Sequence, residues 1–156
     1  MSAMAELRVL VVEDDPVQAS LLGLLLEGMG YKLCAVVGTE RAAVAAASSS
    51  RPDVIVIDEH LGAGSGAQAL REILAMGAVA HVLVTGDAEL NPGVAPGTVM
   101  LRKPFRMADL IQAMARALRP DQVRLTNSDR SRSPDPYWAA RTEPGERHEH
   151  RAGGAP

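Results

Sequence analysis

Apolar residues gather in five short runs along the chain: Leu7–Val12, Lys32–Val37, Val54–Asp58, His81–Thr85 and Thr98–Leu101. The runs are rich in Val, Ile and Leu and nearly continuous instead of alternating. Strands covered on both faces read this way, because each face then meets a core. Between the runs the spacing changes to that of helices. Asp15 can cap a helix with Pro16 at its first position, Val17, Leu21, Leu24 and Leu25 recur on one face, and Gly28 or Gly30 stops it. Thr39 can cap a second helix through the alanine-rich stretch to Ala47. A third is expected from Gly66 to Met76, with Leu70, Ile73 and Leu74 inward, and a last from Met107 to Leu118, with Leu110, Ile111, Met114 and Leu118 on one side.

Glu89 to Gly97 breaks the alternation, since it contains Pro92, Gly93, Pro96 and Gly97. Proline costs about 3 kcal/mol in a helix interior and glycine about 1. One turn at most, or a loop, is expected there. The order of elements predicts an α/β fold: a doubly wound, five-stranded parallel sheet with helices on both faces and the fourth helix short or missing.

Composition divides the chain. Residues 1–120 hold 10 Lys+Arg and 13 Asp+Glu, the remainder 6 and 6, so the whole net charge of −3 falls on the patterned part. From Pro120 onward Pro, Ser, Arg and Asp dominate, too polar to offset the entropy of ordering. The expectation is one domain over 1–120 and a disordered tail over 121–156, with Tyr137 and Trp138 its only aromatic side chains. The acidic balance argues against non-specific nucleic-acid binding, which needs a basic face. A single cysteine, Cys34, cannot form an internal disulfide. No apolar run is long enough to span a membrane and no signal peptide is apparent, so the cytoplasm is the expected compartment.

In doubly wound sheets, ligands bind beyond the carboxyl ends of the strands. Strand one ends at Glu13-Asp14-Asp15, strand three at Asp58, strand four at Thr85, and strand five at Arg102-Lys103 before Pro104. If strands one and three are neighbours, Glu13, Asp14 and Asp58 converge. Three such carboxylates raise one another's pKa unless a cation sits among them. Hard oxygen donors with room for water suit Mg²⁺. With a lysine and a hydroxyl beside them, the set fits phosphoryl transfer, in which one carboxylate attacks phosphorus.

The runs "LRVLVVEDDP", "PDVIVIDEHL", "VLVTGD" and "LRKPF" resemble the four signature stretches of response-regulator receiver domains, over residues 6 to about 119 and in the family's order. The resemblance implies a flavodoxin-like sheet of order 2-1-3-4-5 and a single-domain member of a two-component system. It makes Asp58 the phosphoacceptor, Asp14 the direct metal ligand, and Glu13 its acidic partner. It likens Thr85 to the hydroxyl that bonds a phosphoryl oxygen and Lys103 to the lysine that pairs with it, before a cis bond to Pro104. The backbone carbonyl of His60 takes the place of a further metal ligand. The implied partners are a histidine kinase or phosphotransfer protein and a downstream protein, without nucleic acid or membrane, and homodimerisation stays open. The chain is then no enzyme, though it assists its own phosphorylation and dephosphorylation.

Departures from the family pattern are Gly62, where proline is usual, and Met100, where a switch aromatic is common. With Gly64 and Gly66, Gly62 is expected to loosen the loop after Asp58. Other readings fare worse. "VIVIDEH" resembles a Walker B strand, but no Gly-rich phosphate loop ending in Lys-Ser or Lys-Thr precedes it. An aspartyl-nucleophile phosphatase would need its nucleophile where Glu13 stands. A degenerate receiver acting as a phosphorylation-independent binding module is the alternative from another class.

Overall fold

The computed structural model describes residues 6–86 and 93–127, with the side chains of 124–127 left aside. Five parallel strands form the sheet: β1 (Arg8–Val12), β2 (Lys32–Val37), β3 (Val54–Asp58), β6 (Ala80–Thr85) and β7 (Val99–Arg102), in the order β2-β1-β3-β6-β7. This is the expected 2-1-3-4-5 arrangement. β3 and β6 are buried at every position, which is why they read as unbroken apolar runs. Alternate residues of the strands feed two cores. Val9, Val11, Val54, Val56, Val82 and Val84 share one core with α1 (Pro16–Gly28) and α4 (Met107–Ala117). Leu10, Val12, Ile55, Ile57 and Leu83 share the other with α2 (Glu40–Ser50) and α3 (Gly66–Met76).

The caps form as the sequence suggests. Asp15 accepts hydrogen bonds from the Val17 and Gln18 N–H groups, and Thr39 accepts from Ala42. A third cap, not expected from the sequence, is Ser65, whose hydroxyl accepts from the Gln68 N–H at the start of α3. Buried His81 ties β6 to the start of β7: its Nδ1 lies 2.8 Å from the Val79 carbonyl and its Nε2 2.8 Å from the Thr98 hydroxyl. Burial holds this imidazole below its usual range, against the opposing pull of the Val79 carbonyl.

Three expectations are corrected. The face of α1 is largely reversed: of the expected set only Leu25 packs against the core, Val17, Leu21 and Leu24 are 76%, 58% and 67% exposed, and Ala19, Leu22, Gly23 and Leu26 face inward. Leucines occur on both sides of this helix, so the apolar period does not choose between them. Small residues do, because a Cβ at Gly23 would stand 3.0 Å from Leu33 Cδ1. On α4 the inward set is Leu110, Ala113, Met114 and Ala117, and Ile111 is exposed.

The third correction concerns the boundary at residue 120, which is crossed by a further helix, α5 (Pro120–Asn127). Its Val123 packs against the α1–α4 core and its Gln122 side chain donates to the Gly97 carbonyl. Composition averaged over a polar stretch concealed a short helix with Pro120 first and Asp121 in its opening turn. The remainder of the expected tail, with Tyr137 and Trp138, lies outside the described residues, as do residues 87–92 of the proline-broken segment. Among the described residues no helix stands between β6 and β7.

The reversed face of α1 is open to a direct check. Leu26→Ala should cost about 2–5 kcal/mol in urea unfolding, as for a cavity in a sealed core. Leu24→Ala should stay within about 0.5 kcal/mol, as for a surface change.

Candidate functional site

The sheet brings the chemical residues to one edge. Parallel pairing of β1 with β3 sets Val12 opposite Ile57, so Glu13 and Asp58 emerge side by side. Asp58 pairs in turn with Val84, and Thr85 with Arg102. Backbone bonds extend this edge past the strands: Glu13 N–H donates to the Val37 carbonyl at 2.9 Å, and Lys103 N–H to the Thr85 carbonyl at 2.7 Å. Glu13, Asp58 and Thr85 are buried, whereas Asp14 and His60 are exposed. The Lys103–Pro104 bond is cis, as the resemblance implies.

Lys103 Nζ donates to Asp58 Oδ2 and lies 3.7 Å from Glu13 Oε2. A second hydrogen bond from the same ammonium, 2.8 Å long, reaches Gln18 Oε1 on α1. Asp58 Oδ1 accepts from the His60 N–H at 2.8 Å. Asp14 Oδ2 accepts from the Gly62 N–H at 3.0 Å. The expected phosphoacceptor and lysine therefore meet, Glu13 joins them, and Asp14 contacts the loop that follows Asp58.

The two buried acids divide their charge unequally. Burial and a hydrogen bond to Asp58 push Glu13 up to about 7. Burial pushes Asp58 up as well, but hydrogen bonds from Glu13, Lys103 and the His60 backbone outweigh it and hold this carboxyl below its ordinary value. Burial disfavours the charged form of Lys103, yet its contacts with Asp58 and Glu13 prevail and raise its pKa. Asp58 is thus kept ionised, while Glu13 holds a proton below about pH 7.

Between Asp58 and α3 the chain forms a small antiparallel hairpin, β4 (His60–Leu61) with β5 (Gly64–Ser65), which the sequence pattern did not reveal. Gly62 takes φ 61° at its first turn position, as a tight hairpin turn requires. Glu40 of α2 accepts from the Ser65 N–H, and the Ser65 hydroxyl donates to Glu59 at 2.9 Å. The glycine-rich loop expected to be loose is therefore tied on both sides. Gly66 packs directly on the end of β3, since a Cβ there would stand 2.0 Å from the Asp58 carbonyl oxygen.

Among the described residues, no three His, Cys, Asp or Glu side chains are arranged as a ready cage for a metal ion. The donor chemistry nonetheless suits a hard dication: Glu13, Asp14 and Asp58 offer carboxylate oxygens at one edge, and Glu13 keeps a proton that a cation could replace. Gln18, Glu40, Glu59 and Ser65 are the contributors that sequence reasoning missed. Gln18 looked like an ordinary first-turn residue, and Glu40 lies far from the signature runs.

Two measurements follow. Between the ordinary value of 4.5 and about 7, Glu13 binds its proton more tightly in the folded protein than in the unfolded chain. Stability should therefore fall as pH rises through that window. His81 acts oppositely, since its depressed value makes stability decline as pH drops below 6.5. The Glu13 contribution is read by difference: without divalent cation, Glu13→Gln should gain roughly 1–3 kcal/mol on wild type between about pH 5 and pH 8 in urea titrations. Gly66→Ala should lose about 1–3 kcal/mol by the same method, through overpacking against Asp58.

Comparison with known proteins bears on this geometry. The family model described as "Response regulator receiver domain" matches residues 9–115. The chain is 34% identical over 114 residues to the phyllosphere-induced regulator PhyR of Methylorubrum extorquens, covering 70% of this chain and 43% of that protein. It is 30% identical over 119 residues to the DNA-binding response regulator MtrA of Mycolicibacterium smegmatis, covering 74% and 52%. The chain thus spans about half the length of the curated relatives it matches. The receiver domain of a Pseudomonas aeruginosa sensor histidine kinase, solved with magnesium in its active-site cleft, superposes with TM-score 0.63 at 27% identity, over 73% of this chain and 98% of that one. The PhyR receiver domain of Erythrobacter litoralis shares the fold, with TM-score 0.64 at 24% identity, over 75% and 93%.

Proposed function

This chain belongs to the response-regulator receiver domain family, and we propose that it accepts a phosphoryl group from a histidine kinase or phosphotransfer protein onto Asp58. The observation that carries this reading is the Lys103 ammonium on a buried Asp58 whose pKa is held low. A nucleophilic carboxylate must be ionised, and one beside an ammonium can receive a phosphoryl group without an excess of negative charge.

In this reading a carboxylate oxygen of Asp58 attacks phosphorus. The bond from phosphorus to the donor's imidazole nitrogen breaks, and the electron pair leaves with the imidazole. Lys103 then pairs with a phosphoryl oxygen and the Thr85 hydroxyl donates to another. Mg²⁺, when bound, supplies further charge neutralisation at those oxygens. Glu13, Asp14, Asp58 and the His60 carbonyl would hold it. Each phosphoryl group is taken once, so the chain acts as a stoichiometric acceptor instead of a turnover enzyme.

The exposed stripe of Val17, Leu21 and Leu24 favours a protein as donor or target. It lies on α1, the helix that also carries Gln18 to the site. Three large apolar side chains on an outer helix face suit a partner helix laid against them. Output through such contacts, or through passage of the phosphoryl group itself, fits a chain in which the described residues form one receiver fold.

Acetyl phosphate with Mg²⁺ tests the proposal. Intact-protein mass spectrometry should show a labile phosphoryl adduct on wild type that is lost in Asp58→Asn. Mg²⁺ alone, well above its dissociation constant, should stabilise wild type by roughly 1–3 kcal/mol. Failure of both would favour the phosphorylation-independent binding module.

A further inference from the structure

Gln18 has no task in the chemistry described so far. It is the third residue of α1, counting from Pro16 after the Asp15 cap. A glutamine there commonly reaches back to the backbone N–H of the cap residue. In this protein that N–H is already taken, because Asp15 donates to Glu13 Oε1 at 3.1 Å. The Gln18 backbone is meanwhile fixed by its own N–H bond of 3.1 Å to the Asp15 carboxylate. Relieved of the capping role, the side chain crosses to β7's end and accepts from Lys103 Nζ at 2.8 Å.

We propose that Gln18 is a positioning residue for Lys103, its amide oxygen holding the ammonium at the phosphoacceptor. The inference deepens the phosphoacceptor reading and rests on it. An ammonium carries three protons and accepts none. One is committed to Asp58, Glu13 lies 3.7 Å away, and Gln18 takes another from the solvent side. With its side chain 31% exposed, Lys103 has open water on that side, and the amide is what restrains it there. The amide is neutral, so it directs the ammonium without competing for its charge as a carboxylate would. When a phosphoryl group arrives, a proton of Lys103 can meet its oxygen while Gln18 keeps its own.

The test compares the full chain with Gln18→Ala and Gln18→Glu. Three quantities are measured: the rate of Asp58 phosphorylation by acetyl phosphate at saturating Mg²⁺, the Mg²⁺ affinity by calorimetry, and the order of the Lys103 side chain by NMR relaxation at Cε. Gln18→Ala should slow phosphorylation about threefold to tenfold, the effect of losing one partly exposed hydrogen bond to a charged group. Mg²⁺ affinity should stay within about twofold, since the acids keep their places, and Lys103 Cε should become more mobile. Gln18→Glu should also be slow, because its carboxylate draws the ammonium off Asp58. Wild-type rates and wild-type Lys103 order in both variants would overturn the proposal. So would a loss of Mg²⁺ affinity with Lys103 order unchanged. If the wild type itself takes no phosphoryl group, the phosphoacceptor reading fails, and Lys103 order alone then decides: greater mobility in Gln18→Ala upholds the tether, and no change ends it.

Discussion

Two buried carboxyls share one ammonium, and most of the architecture serves to bring them together. Glu13 and Asp58 are both nearly sealed from water, where an isolated carboxylate is costly. Lys103 and the proton on Glu13 make the pairing tolerable. The three residues come from strands β1 and β3 and from the end of β7, far apart in sequence. Only the parallel register, with β6 between β3 and β7, aligns their tips. A slip of one residue would turn Asp58 to the other face of the sheet.

That arrangement was legible in the sequence because its strands are buried on both faces, which makes their apolar runs conspicuous and their polar tips abrupt. Glu13, Asp58, Thr85 and Lys103 each follow or close such a run. Elsewhere the pattern carried less. On α1 the leucines on opposite sides erase the period, and the small residues Ala19 and Gly23 decide which side packs. The β4–β5 hairpin has strands of two residues, too short for any alternation to register. Among the described side chains, α5 reaches the core through Val123, in a stretch otherwise rich in polar residues. Gln18 escaped notice because its chemistry depends on Glu13 having taken the cap N–H, a contact that spacing alone does not announce.

The departures from the family pattern acquire a physical setting. Gly62 stands where proline is usual, and its positive φ turns a hairpin held from outside by Glu40 and from within by Glu59. Met100, in place of an aromatic, lies partly buried against the core of Leu10, Ile57 and Leu83. A methionine fills such a gap with an unbranched, adaptable chain. At this position the proposed phosphorylation would then be expressed by a thioether's repacking instead of the rotation of a ring.

The path of α4 has a practical corollary. After β7 the chain turns at the Asp58 edge and runs back along the sheet, and α5 closes beside Gly97, just before β7 begins. The start of α5 therefore lies at the pole opposite the acids. A fluorophore, surface anchor or affinity handle attached at the exposed position 121 would sit remote from Glu13 and Asp58, so immobilised protein should still present its acidic edge to incoming molecules.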